Sequence, residues 1–260
     1  MGAAISEAAT PVSARSARVR HDAGQAHIFA REPGHGKGRV DTVARVPLPN
    51  DASCTVPDDA FPPGFFDRAD STGDGVFYAW PRLVTHIDAG AIDAVGALYE
   101  ELELDGAVLD LMSSWVSHFR RAPSNLTVLG MNPAELAENR QATEVVVHDL
   151  NADPMLPFAD ASFDAAVCCV SVDYLVHPID VFREVSRVLR PDGPFVCTFS
   201  NRCFPTKAIR GWLYASDSEH GRIVAEYFRR AGGWTEPIVE RRTPVDHRGD
   251  PLWAVWARRR

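Results

Sequence analysis

The chain predicts an open, doubly wound α/β sheet, mainly parallel, of seven strands ending in an antiparallel hairpin. Three observations carry this. Between Gly106 and Ser200 five short apolar runs alternate with polar, helix-forming segments, the pattern of strands joined by crossover helices. Runs 107–111, 163–170 and 194–200 are almost continuously apolar, as parallel strands covered on both faces are. An acidic or amide residue stands at the C-terminal end of each of the first three runs, Asp110, Asn132 and Asp149, and open α/β sheets bind adenosine-containing ligands along that row of strand tips.

Residues 1–60 show no sustained periodicity, and Pro, Gly, Ala, Ser and Arg dominate, as in REPGHGKGR. They are expected to form a flexible and extended arm, poorly ordered to about residue 40 and packed irregularly near the ligand mouth beyond it. Residues 61–260 are then the α/β domain. GHGKGR is not a phosphate-cradling loop, because no Ser or Thr follows Lys37 and no strand precedes it. The stretch from Asp70 to Gly75 hints at a calcium loop, but Pro81 stands where the bidentate glutamate belongs, leaving a surface turn.

A helix is expected from about residue 85, where Ile87, Ile92, Val95, Leu98 and Tyr99 recur at helical spacing. Strands follow at about 107–111 and 126–130. Next comes the acid-amide helix PAELAENR, with Pro133 suited to its first turn. Strands are expected at 144–149 and 163–170, then an amphipathic helix at 178–189 with Ile179, Val181, Phe182, Val185 and Leu189 on one face. Pro191-Asp192-Gly193 turns into the strand at 194–200. A polar insertion, NRCFPTKAIRGW, leads to a helix at 217–230 stopped by Gly232 and Gly233. Runs 237–243 and 252–258 flank VDHRGDP and read as a hairpin closing the sheet edge.

The 260 residues carry a net charge of −8, with 45% hydrophobic and 24% charged side chains, ordinary values for a globular domain. The acidic balance argues against a nucleic-acid partner. The five cysteines, Cys54, Cys168, Cys169, Cys197 and Cys203, show no metal-ligand spacing, and three of them sit in apolar runs. They read as free thiols in a reducing compartment. No apolar stretch approaches the roughly 20 residues that span a bilayer. A cytoplasmic location is expected. The first 20 residues, rich in Ala, Ser and Arg with one acid, Glu7, would also suit an organelle transit peptide.

In order, GAVLDLMSSWVSHF, NLTVLGMNPAELAEN, EVVVHDLNADPMLPFADASFD and RVLRPDGPFVCTFS resemble the class I S-adenosylmethionine (SAM)-dependent methyltransferases, in particular the small-molecule, type 11-like group. The resemblance spans roughly residues 80–260. It implies a Rossmann-like sheet whose last strand inserts antiparallel, SAM as cofactor, and methyl transfer to a small-molecule acceptor; neither a membrane nor a nucleic-acid partner is expected, on the hydropathy and charge above. The chain departs from the family in its first loop, where Met112, Ser114 and Val116 replace the glycines that let backbone approach the cofactor.

The resemblance assigns Asp110, Asn132, Asp149 and Leu150 to the cofactor. Asn132 stands where an acid usually holds the ribose hydroxyls, and Asp149-Leu150 matches the adenine-contacting segment. Ser113, Ser114 and Ser117 are expected to substitute for glycine-based contacts, and Ser171 to join them from the fourth strand tip. Phe158, Phe163 and Asp164 read as architecture. The transferred methyl should lie near Asp173, Tyr174 and His118, the candidate catalytic groups. Arg82, His86, Trp115, His177 and Arg202 are candidates for acceptor contact, and no metal is expected. Because the sequence announces no acid/base pair, a small thiol, needing little beyond thiolate stabilisation, is the first acceptor considered. Two other readings stand beside this one: a non-catalytic scaffold with a filled loop, and a nicotinamide-dependent oxidoreductase, for which the three-glycine turn is missing.

Overall fold

A computed structural model describes residues 61–260. The readings placed on residues 1–60, including Cys54, lie outside that range. The described chain builds a seven-stranded sheet in the order β3-β2-β1-β4-β5-β7-β6. The strands are β1 (Ala107–Leu111), β2 (Asn125–Gly130), β3 (Glu144–Val147), β4 (Ala165–Cys169), β5 (Pro194–Phe199), β6 (Ile238–Arg241) and β7 (Trp253–Arg258). Pairings from β3 through β5 are parallel, and β7 inserts antiparallel between β5 and β6. This is the predicted Rossmann-like α/β class.

The helices are α1 (Asp74–Phe77), α2 (Ala89–Glu101), α3 (Pro133–Ala137), α4 (Pro178–Val188), α5 (Arg210–Leu213) and α6 (Asp217–Ala231). Helix α2 starts four residues later than its periodicity suggests, because the Asp88 carboxylate accepts from Ala91 N and caps it there. Helix α6 opens on a reciprocal capping box between Ser216 and Glu219. The helix ends at Gly232, whose φ of 70° a side chain would resist. The sheet is covered on both faces. Phe182, Val185, Phe195 and Phe228 pack on one side, and Val95, Leu98, Val108 and Val128 on the other.

Asp164 is architectural, as expected: its carboxylate accepts from Ala107 N at 2.8 Å and pairs with Arg190, joining β1 to the turn before β4. Phe158 and Phe163 meet edge to face at 5.0 Å between centroids. Among the described residues no helix is long and apolar enough to cross a membrane.

Residues 61–86 pack along the sheet's C-terminal end in a defined way. Phe61, Phe65 and Phe66 cluster with Tyr227 of α6. Beyond them, Asp74 is buried and held by Arg68 at 2.7 Å, by Asn151 at 2.8 Å and by Lys207 at 3.2 Å. Lys207, wholly buried, also reaches Asp70 Oδ2 at 3.1 Å and Thr72 O at 2.8 Å. This ionic knot fixes the N-terminal segment over the strand tips.

Candidate functional site

The loop after β1 turns at Met112, a non-glycine residue at φ 53°, in the left-handed region that costs a side chain about 1 kcal/mol or more. Three contacts hold it there. Ser113 N donates to Leu129 O at 2.8 Å, Ser113 Oγ to Asp110 Oδ2 at 2.7 Å, and Ser114 Oγ to Glu135 Oε2 at 2.5 Å. A different close approach, of loop backbone to strand, is made at Gly130 at the tip of β2, where a Cβ would stand 2.3 Å from the Ser113 carbonyl oxygen. An isolated glycine inside an apolar strand run signals a close backbone approach, but not which segment makes it.

The loop serines are therefore bonded to the protein itself. Ser117 is buried and accepts from Asn139 Nδ2 at 2.7 Å, outside the cavity. Trp115 donates its indole N–H to Val84 O at 3.1 Å, joining the loop to the N-terminal segment. The result is an open cavity at the strand tips of about 1380 Å³, mouth included.

Asp110, Ser113, Ser114, Asn132, Asp149, Leu150 and Ser171 all line this cavity, as do His118, Tyr174, Arg82, His86, Trp115 and Arg202. Besides Ser117, two expected residues do not. His177 is exposed at the N-cap of α4. Asp173 lies in the 3-10 turn Val172–Tyr174, which rotates its side chain into the interior, where Oδ2 is buried without a partner. Burial pushes that carboxyl up to about 8. Asn151, missed by the sequence reading, joins Asp74 to the carbonyl of Tyr174 (2.9 Å) and to Val176 N (2.8 Å).

Asn132 is fully bonded. Its Oδ1 caps α3 by accepting from Ala134 N and Glu135 N, and its Nδ2 donates to Tyr78 O at 2.8 Å. The Asp149 carboxylate accepts from Asn151 N and Ala152 N, and Leu150 is buried beside it. The Asp110 carboxyl is 2% exposed, and burial raises it to about 6 against the hydrogen bonds of neighbouring serines.

At the other end, Arg82 lies over Phe77, its guanidinium carbon 4.6 Å from the ring centre, with Phe204 and Tyr78 farther out. Its backbone N–H donates to Glu135 Oε1 at 2.6 Å, so Glu135 ties the N-terminal segment to the serine loop. His86 stands edge-on to Phe204 at 5.2 Å. Burial lowers both His86 and His118, and the nearby His86 lowers His118 further. Both imidazoles are neutral near pH 7. Cys203 also lines this end, and burial raises its thiol to about 12. Among the described residues no group of three metal-ligating side chains comes together.

Residues 106–197 match the model of a family described as a methyltransferase domain. The chain is 30% identical over 115 residues to the ubiquinone/menaquinone biosynthesis C-methyltransferase UbiE of Bartonella henselae, covering 40% of this chain and 44% of that protein. The UbiE protein of Bartonella quintana matches at 31% over 116 residues, 41% and 44% of the two chains. The match thus spans less than half the length of these curated relatives. Among solved structures, 1,6-didemethyltoxoflavin-N1-methyltransferase of Burkholderia thailandensis aligns at a TM-score of 0.47 with 20% identity, over 66% of this chain and 78% of that one. A possible histamine N-methyltransferase of Thermotoga maritima aligns at 0.48 with 14% identity, over 65% and 90%.

Proposed function

We propose that this chain, whose residues 106–197 match a methyltransferase-domain family, is a class I methyltransferase that uses SAM as its cofactor and transfers a methyl group to a small-molecule acceptor. The observation that carries the reading is the single cavity shared by Asp110, Asn132 and Asp149 at the tips of β1, β2 and β3 and by two neutral imidazoles opposite them. The residues fit the cofactor. Gly130 leaves the space through which the loop backbone closes on the site. Asp110 offers a buried carboxyl for an ammonium, and Asp149-Leu150 offers an acceptor and an apolar cover for adenine. When bound, SAM supplies an already activated methyl group, so the protein's own part is alignment, exclusion of water and removal of the acceptor proton.

Asn132 reaches a ribose only by exchanging its bond to Tyr78 O, which would couple cofactor entry to movement of residues 74–86. His118 is the proposed base, with Tyr174 and Trp115 shaping the acceptor end. A small thiol is the first acceptor to try. A carbon acceptor is the second, because the UbiE relatives are named for C-methylation and a neutral imidazole serves a less acidic acceptor as well.

Calorimetry with S-adenosylhomocysteine, the demethylated product, is the primary test. Binding should weaken about tenfold per pH unit below about 6 and be flat above, because an ammonium beside Asp110 binds its ionised form and must release a proton from the acid form. In the free protein the sign is opposite. The raised folded value means that the Asp110 contribution to stability is full below the unfolded value near 4 and lost as pH rises through about 6. Asp110→Asn should flatten both slopes. No heat at millimolar ligand with folded protein would remove the methyltransferase reading and leave the scaffold one; the same titration with NAD addresses the oxidoreductase.

His118→Ala should lower kcat about 10²- to 10⁴-fold while S-adenosylhomocysteine affinity changes less than about threefold. Equal losses in both would make His118 part of the cofactor site instead.

A further inference from the structure

We infer that the methyl acceptor carries a carboxylate, bound by the guanidinium groups of Arg82 and Arg202; this rests on the methyltransferase reading and names its acceptor class. The hydrogen bonds of the cavity point to it. The carboxyls lining the cavity each carry bonds from the protein: Asp74 from Arg68, Lys207 and Asn151, Glu135 from Ser114 and Arg82 N, and Asp110 and Asp149, whose remaining lone pairs face the cofactor, from Ser113 and from two backbone N–H groups. The two lining arginines are not fully engaged. Nη1 of Arg82 is buried and meets no partner, while Nη2 donates to Phe77 O. Arg202 spends Nε on Asp250 at 2.8 Å, and its two terminal nitrogens bond to nothing among the described residues.

Neither guanidinium is free to wander. Arg82 is stacked on Phe77, with Phe204 and Tyr78 around it, and Asp250 orients Arg202 while itself accepting from Asp88 N. Planar forks held in place, with unspent donors, match a carboxylate in two-point contact. The neighbouring imidazoles, His86 and His118, are kept neutral by burial, so they do not compete as cations. The aromatic surround of Phe77, Tyr78 and Phe204 suits an acceptor with an apolar or aromatic body. The chemistry could also belong to the methionine carboxylate of the cofactor, and the experiment separates the two sources.

The probes are acids and their neutral twins: thiosalicylate against thiophenol, 3-mercaptopropionate against its methyl ester, and 4-hydroxybenzoate against 4-hydroxybenzamide. Binding is measured by ligand-observed NMR on the protein with and without S-adenosylhomocysteine, and turnover with labelled SAM. At least one acid should exceed its twin by roughly 10- to 100-fold, the range of a charge-assisted bond. Arg202→Gln and Arg82→Gln should each bring that ratio toward one with S-adenosylhomocysteine affinity within threefold of wild type. Arg202 is partly exposed, so its variant keeps the test available should Arg82→Gln fail to fold. Equal binding of every acid and twin by wild-type protein would overturn the proposal. So would Arg variants that lose S-adenosylhomocysteine affinity with an unchanged acid preference, which would give the carboxylate to the cofactor. Failure of S-adenosylhomocysteine to bind would remove the methyltransferase reading and with it the acceptor's role, while acid binding to the unliganded protein would still report separately on the arginine pair as a carboxylate site.

Discussion

Gly130→Ala should destabilise the protein by about 2–5 kcal/mol, the sum of overpacking and a lost bond to a buried charged group, and weaken S-adenosylhomocysteine binding by more than about tenfold. The added methyl would lie 2.3 Å from the carbonyl oxygen of Ser113 and 3.1 Å from Leu136 Cδ2. The first obstacle is backbone, which cannot swing aside as a long side chain can. Relief requires Ser113 to move, and Ser113 bonds through its N–H to Leu129 O and through its hydroxyl to Asp110. Moving it strips a buried carboxyl of its partner and reopens the strained turn at Met112. Gly73→Ala and Gly75→Ala are the controls, since a Cβ at either position meets nothing within 4 Å. Urea denaturation and calorimetry give the two readouts. Wild-type values for both in Gly130→Ala would mean that the loop is not built on this contact.

That residue also marks the limit of what the chain discloses before folding. The parallel strands were legible because β1, β4 and β5 are buried along nearly their whole length, which leaves an unbroken apolar run in the sequence. Helix α4 was legible from its one apolar face. The loop after β1 was legible as a departure, but its solution was not: the glycine it depends on sits in the next strand, 18 residues from Met112 in sequence and adjacent only across the sheet.

The site shows the same division. Asp110, Asp149 and Arg202 line the cavity because they stand at or just past strand ends, whose direction fixes where they point. Asp173 and His177 do not: the 3-10 turn after β4 turns Asp173 inward, and His177 sits exposed at the N-cap of α4. Asn151 and Lys207 were passed over. An amide in a turn and a lysine in a polar insertion ordinarily face water, and it is the N-terminal segment, arriving from over 70 residues away, that engages Asn151 through Asp74 and encloses Lys207.

Asp74→Ala should cost about 3–5 kcal/mol, the range for breaking a buried ion pair by removing one partner. Lys207 is wholly buried and Asp74 is 3% exposed, so the charge left behind cannot reach water. Lys207 would retain Asp70, a peripheral carboxylate held down to about 2 by hydrogen bonds from Thr72 and Lys207, but Arg68 would lose both of its bonds. Asp74→Asn keeps the volume and part of the bonding and should cost less. Asp74→Asn combined with Lys207→Met, which removes the buried cation too, should recover stability relative to Asp74→Ala.

The pH dependence has a definite sign. Burial alone would raise the Asp74 carboxyl, but bonds from Arg68, Asn151 and Lys207 outweigh it and hold it below the usual range. Its contribution is therefore full above the unfolded value near 4 and is lost as pH falls through the lower folded value; in Asp74→Ala that acid-sensitive component should disappear. The functional consequence follows from position. Asp74 opens the segment that carries Tyr78, Arg82 and His86 to the cavity, so the variant, where still folded at low temperature, should lose acceptor preference before it loses S-adenosylhomocysteine binding. A variant with wild-type stability across the pH range would show that the knot contributes nothing. One that loses cofactor affinity first would place the segment's role on the cofactor side of the cavity.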